Sequence, residues 1–200
     1  MFDAKLRPII DPPLNAIGRA LARMGIGADS VTLMGMVIGI GAGISIWQQA
    51  YGLGLALIAL NRLLDGLDGA VARATQKTDF GGYLDIVSDF VFYVAIPLGF
   101  GLARPENLTW AMLLIATFTL TGVSFLAFAT LAAKRGLETQ AHGQKSFFFN
   151  TGLAEGAETI AFFVVMCLWP DGFMPLAIAF SGLCILTVLQ RTVVARRAFS

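Results

Sequence analysis

Charge is scarce in this chain. Lys, Arg, Asp and Glu make up 14% of its 200 residues and hydrophobic residues 56%, whereas an ordinary soluble domain is about 25% charged. That deficit excludes a water-soluble globule. What charge there is nearly cancels, 14 basic against 13 acidic residues for a net +1, so nothing points to a nucleic-acid partner. Cysteine is limited to Cys167 and Cys184, both inside apolar runs, where a small buried hydrophobe is the usual role. No disulfide framework is implied. Histidine occurs once, as His142 in a polar connection, where a solvated side chain is expected rather than a ligand. The N-terminus has no basic start followed directly by an apolar run. It carries Asp3, Pro8, Asp11, Pro12 and Pro13 instead, and no cleaved secretory signal is expected.

Apolar sequence is abundant, and it comes in long stretches. Six of them, centred on 31–47, 53–71, 83–102, 110–132, 153–169 and 174–194, are long enough for transmembrane helices, and none alternates like a barrel strand. The expected fold is an all-α membrane protein forming one domain over 1–200, with an N-terminal interfacial segment (1–26) ahead of a six-helix bundle (27–200). Leu14, Ile17, Leu21 and Met24 recur at helical spacing while Asn15, Arg19 and Arg23 fall on another face, which reads as a short amphipathic helix lying in the interface. A solvated lead-in to the first span reads equally well. Pro97, inside the third stretch, is expected to kink it. Gly35, Gly39 and Gly43 form a small-residue stripe expected to serve intrachain packing rather than a dimer interface.

The connections between stretches divide by charge. All of the 14 basic residues except Arg62 and Arg104 gather on one side when six spans alternate in direction. By the positive-inside rule both termini are then cytoplasmic. The longest polar connection, residues 134–146, falls on that side.

The second stretch ends NRLLDGLDGAVAR and the third begins FGGYLDIVSDFVFY. Asp65 and Asp68 are three apart and Asp85 and Asp89 four apart, so each pair projects from one helical face. A carboxylate at span depth costs about 2.5 to 3.5 kcal/mol, and four isolated ones ~10 to 14 kcal/mol. Pairing with basic groups has only Arg62, Arg73 and Lys77 nearby, too few for neutralisation. A bound divalent cation, or two, answers the excess charge, and an oxygen-only ligand set suits Mg²⁺ or Mn²⁺. Gly66, Gly69, Gly81 and Gly82 bare the backbone around the aspartates, and Arg73 lies one turn beyond Gly69. Metal, Arg and bare backbone together describe a diphosphate site.

The run Asp65, Asp68, Gly69, Ala72, Arg73, then Gly81, Asp85 and Asp89 resembles the signature of the CDP-alcohol phosphotransferase family, integral membrane enzymes that make phospholipids. Seven residues stand between Arg73 and Gly81, where the family pattern has eight. The resemblance implies metal ligation by Asp65, Asp68 and Asp85, with Asp89 in the same metal-binding group, and two ions. It implies that Gly69, Ala72, Arg73 and Gly81 shape a CDP pocket, and that Asp89 is the general base, which a weakly nucleophilic hydroxyl requires. Thr32 is similar to a family position near the nucleotide; a hydroxyl bonded to its own helix reads equally well. The implied reaction transfers a phosphatidyl-type group from a CDP-linked lipid to a small alcohol with release of CMP. A homodimer in a bacterial inner membrane, with its active site toward the cytoplasm, is implied too.

Lys134, Arg135, Lys145 and Arg191 lie on the basic side, as candidate contacts for a phosphorylated acceptor or as topology determinants. Glu155 and Glu158 mark a second polar site if they lie at depth. Two other functions use similar ingredients. An isoprenyl-diphosphate transferase employs aspartate pairs with Mg²⁺ but in NDxxD-type motifs, whereas Asn61 here precedes Arg62. A divalent-cation transporter wants ionisable groups along a path across the bilayer, whereas these four cluster toward one side.

Overall fold

A computed structural model describes residues 3–136, 154 and 156–200, and shows helix and no strand among them. The helices are α1 (Asp3–Arg23), α2 (Ala28–Trp47), α3 (Tyr51–Ala74), α4 (Asp79–Ala103), α5 (Leu108–Lys134), α6 (Gly156–Leu168) and α7 (Phe173–Phe199). Short 3₁₀ turns at Pro105–Asn107 and Pro170–Gly172 lead into α5 and α7. Among the described residues four segments are long and apolar enough to cross a membrane: α2, α4, and α5 and α7 with their leading turns. α3 is also long, 24 residues, but carries Arg62, Asp65, Asp68 and Arg73. In α6 the described helix has 13 residues.

The N-terminal helix starts earlier than the sequence suggests, running through Pro8, Pro12 and Pro13, each of which omits one intrahelical donor without ending the helix. Its buried face also differs. Leu14 and Gly18 are buried while Ile17 and Met24 are 47% and 73% exposed. The reason is packing against α3, where a side chain at Gly18 would collide with Ala70. Gly25, at φ 79°, ends the helix in the left-handed conformation that glycine adopts without strain.

Gly35, Gly39 and Gly43 are all buried, on the face that α2 turns to α3 and α4. A side chain at Gly43 would run into the carbonyl of Ala95, and one at Gly99 into the carbonyl of Gly43. The stripe is therefore spent inside the chain, bringing the α2 and α4 backbones together. α4 continues through the buried Pro97. Between α2–α4 and α5–α7 lies a core rich in phenylalanine, with Phe92, Phe100, Phe163, Phe173 and Phe180 fully buried. In lipid such rings gain chiefly by close packing, since the tails outside are equally apolar. Leu33, Met34, Val37, Ile40 and Ile44 stay exposed on the outer side of α2. The end of the bundle away from the aspartates is tied by the Arg104–Asp171 ion pair and the Tyr51–Phe100–Phe173 ring stack.

Candidate active site

The site is built on the α3–α4 hairpin. Thr78 caps α4, its Oγ1 accepting from the Gly81 amide at 2.9 Å, which sets the register of the helix carrying Asp85 and Asp89. α3 runs antiparallel with Asp65 and Asp68 in its last turns. Asp65 has Asp89, Asp68 and Asp85 all within range of appreciable charge repulsion.

Two cavities open on either side of these carboxylates. The first, about 320 Å³, is lined by Thr32, Asp68, Gly69, Ala72, Arg73, Gly81 and Asp85, together with Asp29, Lys77 and Gly82. The first seven of these, all site residues that the family resemblance implies, thus share one cavity. Thr32 bonds to its own helix, with Oγ1 3.1 Å from the Ala28 carbonyl, and also lies 2.8 Å from Oδ2 of Asp68. Of the two adjacent glycines, Gly81 is the tightly packed one: an added Cβ would lie 3.0 Å from Thr78 Oγ1 and 3.2 Å from Asp29 Oδ1, whereas Gly82 has open space. Arg73 reaches back to α1, donating from Nε and Nη2 to Asn15 Oδ1 at 3.2 and 3.0 Å.

The second cavity, about 280 Å³, lies among α4, α5, α6 and α7. It is lined mainly by apolar and aromatic side chains, including Phe90, Tyr93, Phe118 and Phe125, with Asp89 and Arg191 its charged members among the described residues. Arg191 Nη1 donates to the Thr121 carbonyl (2.8 Å) and Ser124 Oγ (2.7 Å). A side chain at Gly122 would overlap the Phe90 ring, so this glycine gives the ring its seat at the cavity wall.

Lys134 and Arg135 line neither cavity. Arg135 donates to the carbonyls of Ala198 (3.3 Å) and Phe199 (2.7 Å), fastening the end of α5 to that of α7. Lys145, His142 and Glu155 lie outside the described residues. Glu158 opens α6 with a buried Oε2 that has no hydrogen-bond partner among the described residues.

The sequence names Arg62 only as a nearby cation for pairing, and does not place Asn61, Asn15 or Asp29 in the site. Among the described residues Arg62 is the cation within ion-pair distance of the aspartates, 3.0 Å from Asp89 Oδ1 and 3.6 Å from Asp65 Oδ1. Its signal was present, a guanidinium inside a span and three residues before Asp65. Asn15 left none, because its partner is 58 residues away in sequence.

The donor set suits a hard divalent cation: four carboxylates, no sulfur or imidazole, and one guanidinium in direct contact to offset them. No three of these carboxylates converge as a preformed cage among the described residues. Asp68 and Asp85 have no ion-pair partner there, so the negative charge facing the first cavity is in excess.

Residues 26–194 match the CDP-alcohol phosphatidyltransferase family. The chain is 47% identical over 193 residues to the inner membrane protein YnjF of Escherichia coli (strain K12), covering 96% of this chain and 93% of that protein. It is 38% identical over 100 residues to archaetidylinositol phosphate synthase of Pyrococcus horikoshii, half of this chain (50%) and 53% of that one. Among solved structures it resembles Mycobacterium tuberculosis phosphatidylinositol phosphate synthase (PgsA1) with CDP-DAG bound, at TM-score 0.71 and 20% identity over 91% of this chain and 92% of that chain. The same enzyme in complex with manganese and citrate gives TM-score 0.64 and 21% identity over 91% and 88%. At such identity these likenesses concern the fold.

Proposed function

The chain belongs to the CDP-alcohol phosphatidyltransferase family, and we propose that it transfers a phosphatidyl-type group from a CDP-linked lipid to a small cytosolic alcohol, releasing CMP. The observation that carries this reading is that three of the four aspartates line two cavities: Asp68 and Asp85 a polar one with Arg73 and bare glycine backbone, and Asp89 the second. Gly69, Ala72, Arg73 and Gly81 shape the nucleotide end, with Thr32 fixing Asp68. Asp65, Asp68 and Asp85 would hold Mg²⁺ or Mn²⁺, two ions in this reading, whose charge when bound offsets that of the diphosphate and of departing CMP. Support for a metal comes from the unbalanced carboxylates and from the manganese complex of PgsA1.

In the second cavity, Asp89 takes the proton of the acceptor hydroxyl as its oxygen attacks the lipid-bearing phosphorus, and the bond from that phosphorus to CMP breaks. Arg191 is the acceptor contact we retain, since it lines the cavity with Asp89 while Lys134 and Arg135 stand apart. A cation there favours a phosphorylated acceptor, in keeping with the names of two similar proteins, an archaetidylinositol phosphate synthase and a phosphatidylinositol phosphate synthase. Purified protein given a CDP-lipid should release CMP only with divalent metal, and should use glycerol phosphate or inositol phosphate in preference to inositol, serine or choline. Metal-independent turnover, or none with any acceptor, would overturn the reading; turnover with neutral acceptors alone would remove the role of Arg191.

The bundle spans the membrane six times in this reading, with α3 and α6 completing the four apolar segments, and carries its aspartates at the cytoplasmic end. A reporter active only in the cytoplasm and fused after Ser200 should give signal. A silent fusion whose periplasmic counterpart works would invert the topology.

A further inference from the structure

Arg62 has no part in the chemistry above, although it is the most elaborately held side chain in the site. It lies midway along α3 with its side chain 20% exposed. Nε and Nη2 donate to Asn61 Oδ1 at 2.8 and 2.6 Å. Asn61 is itself anchored, its Nδ2 donating to the Gly35 carbonyl of α2 at 2.8 Å. The guanidinium plane rests on the Phe92 ring of α4, 4.3 Å from the centroid. Nη1 donates to Asp89 Oδ1 at 3.0 Å. Three helices therefore fix the orientation of one planar group. A mere counter-ion needs no such fork, because the attraction between point charges has little directional demand.

Among the described residues Asp89 accepts its hydrogen bond at Oδ1 alone, while its side chain forms part of the second cavity's wall. Holding one carboxylate oxygen limits rotation of the group and leaves Oδ2 for a molecule in that cavity. We infer that Arg62 is a positioning residue, which aims Asp89 at the acceptor hydroxyl through the Asn61–Arg62–Asp89 chain of hydrogen bonds. This rests on the reading of Asp89 as the base.

The test uses the full-length protein in lipid nanodiscs at saturating Mg²⁺, with Arg62→Gln and Arg62→Lys made alone and in an Asp89→Asn background. Arg62→Gln should lower kcat about 10- to 100-fold, the scale expected when a proton acceptor is misplaced, with the donor KM within about threefold of wild type. Arg62→Lys should recover part of the loss, since it restores the charge without the fork. In the Asp89→Asn background either substitution should change residual turnover by less than about threefold, because a residue acting through Asp89 has nothing left to position. Unchanged kcat, a donor KM rising in step with the loss, or losses that multiply in the double variants would overturn the inference. If Arg62→Gln fails to fold, the Arg62→Lys pair decides by the same comparison. A wild-type protein that releases no CMP would overturn the reaction assignment, and this role with it; a working wild type beside an unaffected Arg62→Gln would overturn the positioning role alone.

Discussion

Asp89→Asn is expected to lower turnover by ~10² to 10⁴ while CDP-lipid still binds, because amide for carboxylate keeps size and shape but removes the proton acceptor. The geometry sharpens this expectation. Asp89 borders the second cavity, whereas Asp68 and Asp85 border the first, so the substitution falls on the side proposed for the acceptor. It also removes the nearer of the two carboxylates paired with Arg62, leaving Asp65 at 3.6 Å, and a guanidinium drawn toward Asp65 would disturb the donor side if the two cavities were one functional unit. Equilibrium binding of CDP-lipid and initial rates across a Mg²⁺ titration separate these effects. Near-normal turnover, or turnover restored by saturating Mg²⁺, would mean that Asp89 is not the base and serves instead with the metal-binding group.

Asp68→Asn should fail in the opposite way. The change leaves an oxygen able to accept from Thr32, now 2.8 Å from Asp68 Oδ2, so local packing is retained while a charged ligand is lost. Removing even an outer-shell partner typically costs 10- to 100-fold in metal affinity, and a direct ligand should cost ~10² or more. Because the diphosphate is held with the aid of the metal in this reading, donor affinity should fall in parallel, and excess Mg²⁺ should recover part of both. Chelation of the wild-type protein should reproduce the defect. Unaltered metal dependence and donor KM in Asp68→Asn would remove it from the ligand set.

These two predictions depend on a part of the molecule that was readable from the sequence, and the reason is locality. Asp65 and Asp68, like Asp85 and Asp89, share a face through helical periodicity alone, and a two-helix hairpin brings the faces together whatever surrounds it. Lengths of apolar sequence likewise gave the helices within a few residues, Tyr51–Ala74 against 53–71 and Asp79–Ala103 against 83–102. What periodicity does not carry is which side of a helix finds a neighbour. Along α1 and just past its end the apolar set Leu14, Ile17, Leu21 and Met24 is legible, yet Gly18 makes the close contact, because smallness rather than hydrophobicity allows α1 to approach Ala70. The basic residues show the same limit. Lys134, Arg135 and Arg191 read alike as one-sided charge, but only Arg191 reaches a cavity, since it stands further inside its helix than residues at the end of α5. Arg62 was visible as an oddity within a span, but its role required knowing that Asn61, Asp89 and Phe92 surround it.

The glycine contact between α2 and α4 has a mechanical consequence. Gly43 and Gly99 touch backbone to backbone near the end of the bundle remote from the aspartates, and from Gly99 to Asp85 the helix extends about 21 Å at 1.5 Å per residue. The two helices stay close along that length, Gly39 of α2 against Phe92 of α4 and Asp29 against Gly81, so a side chain at Gly43 or Gly99 would strain a continuous seam, with Thr32 on one helix and Asp85 and Asp89 on the other.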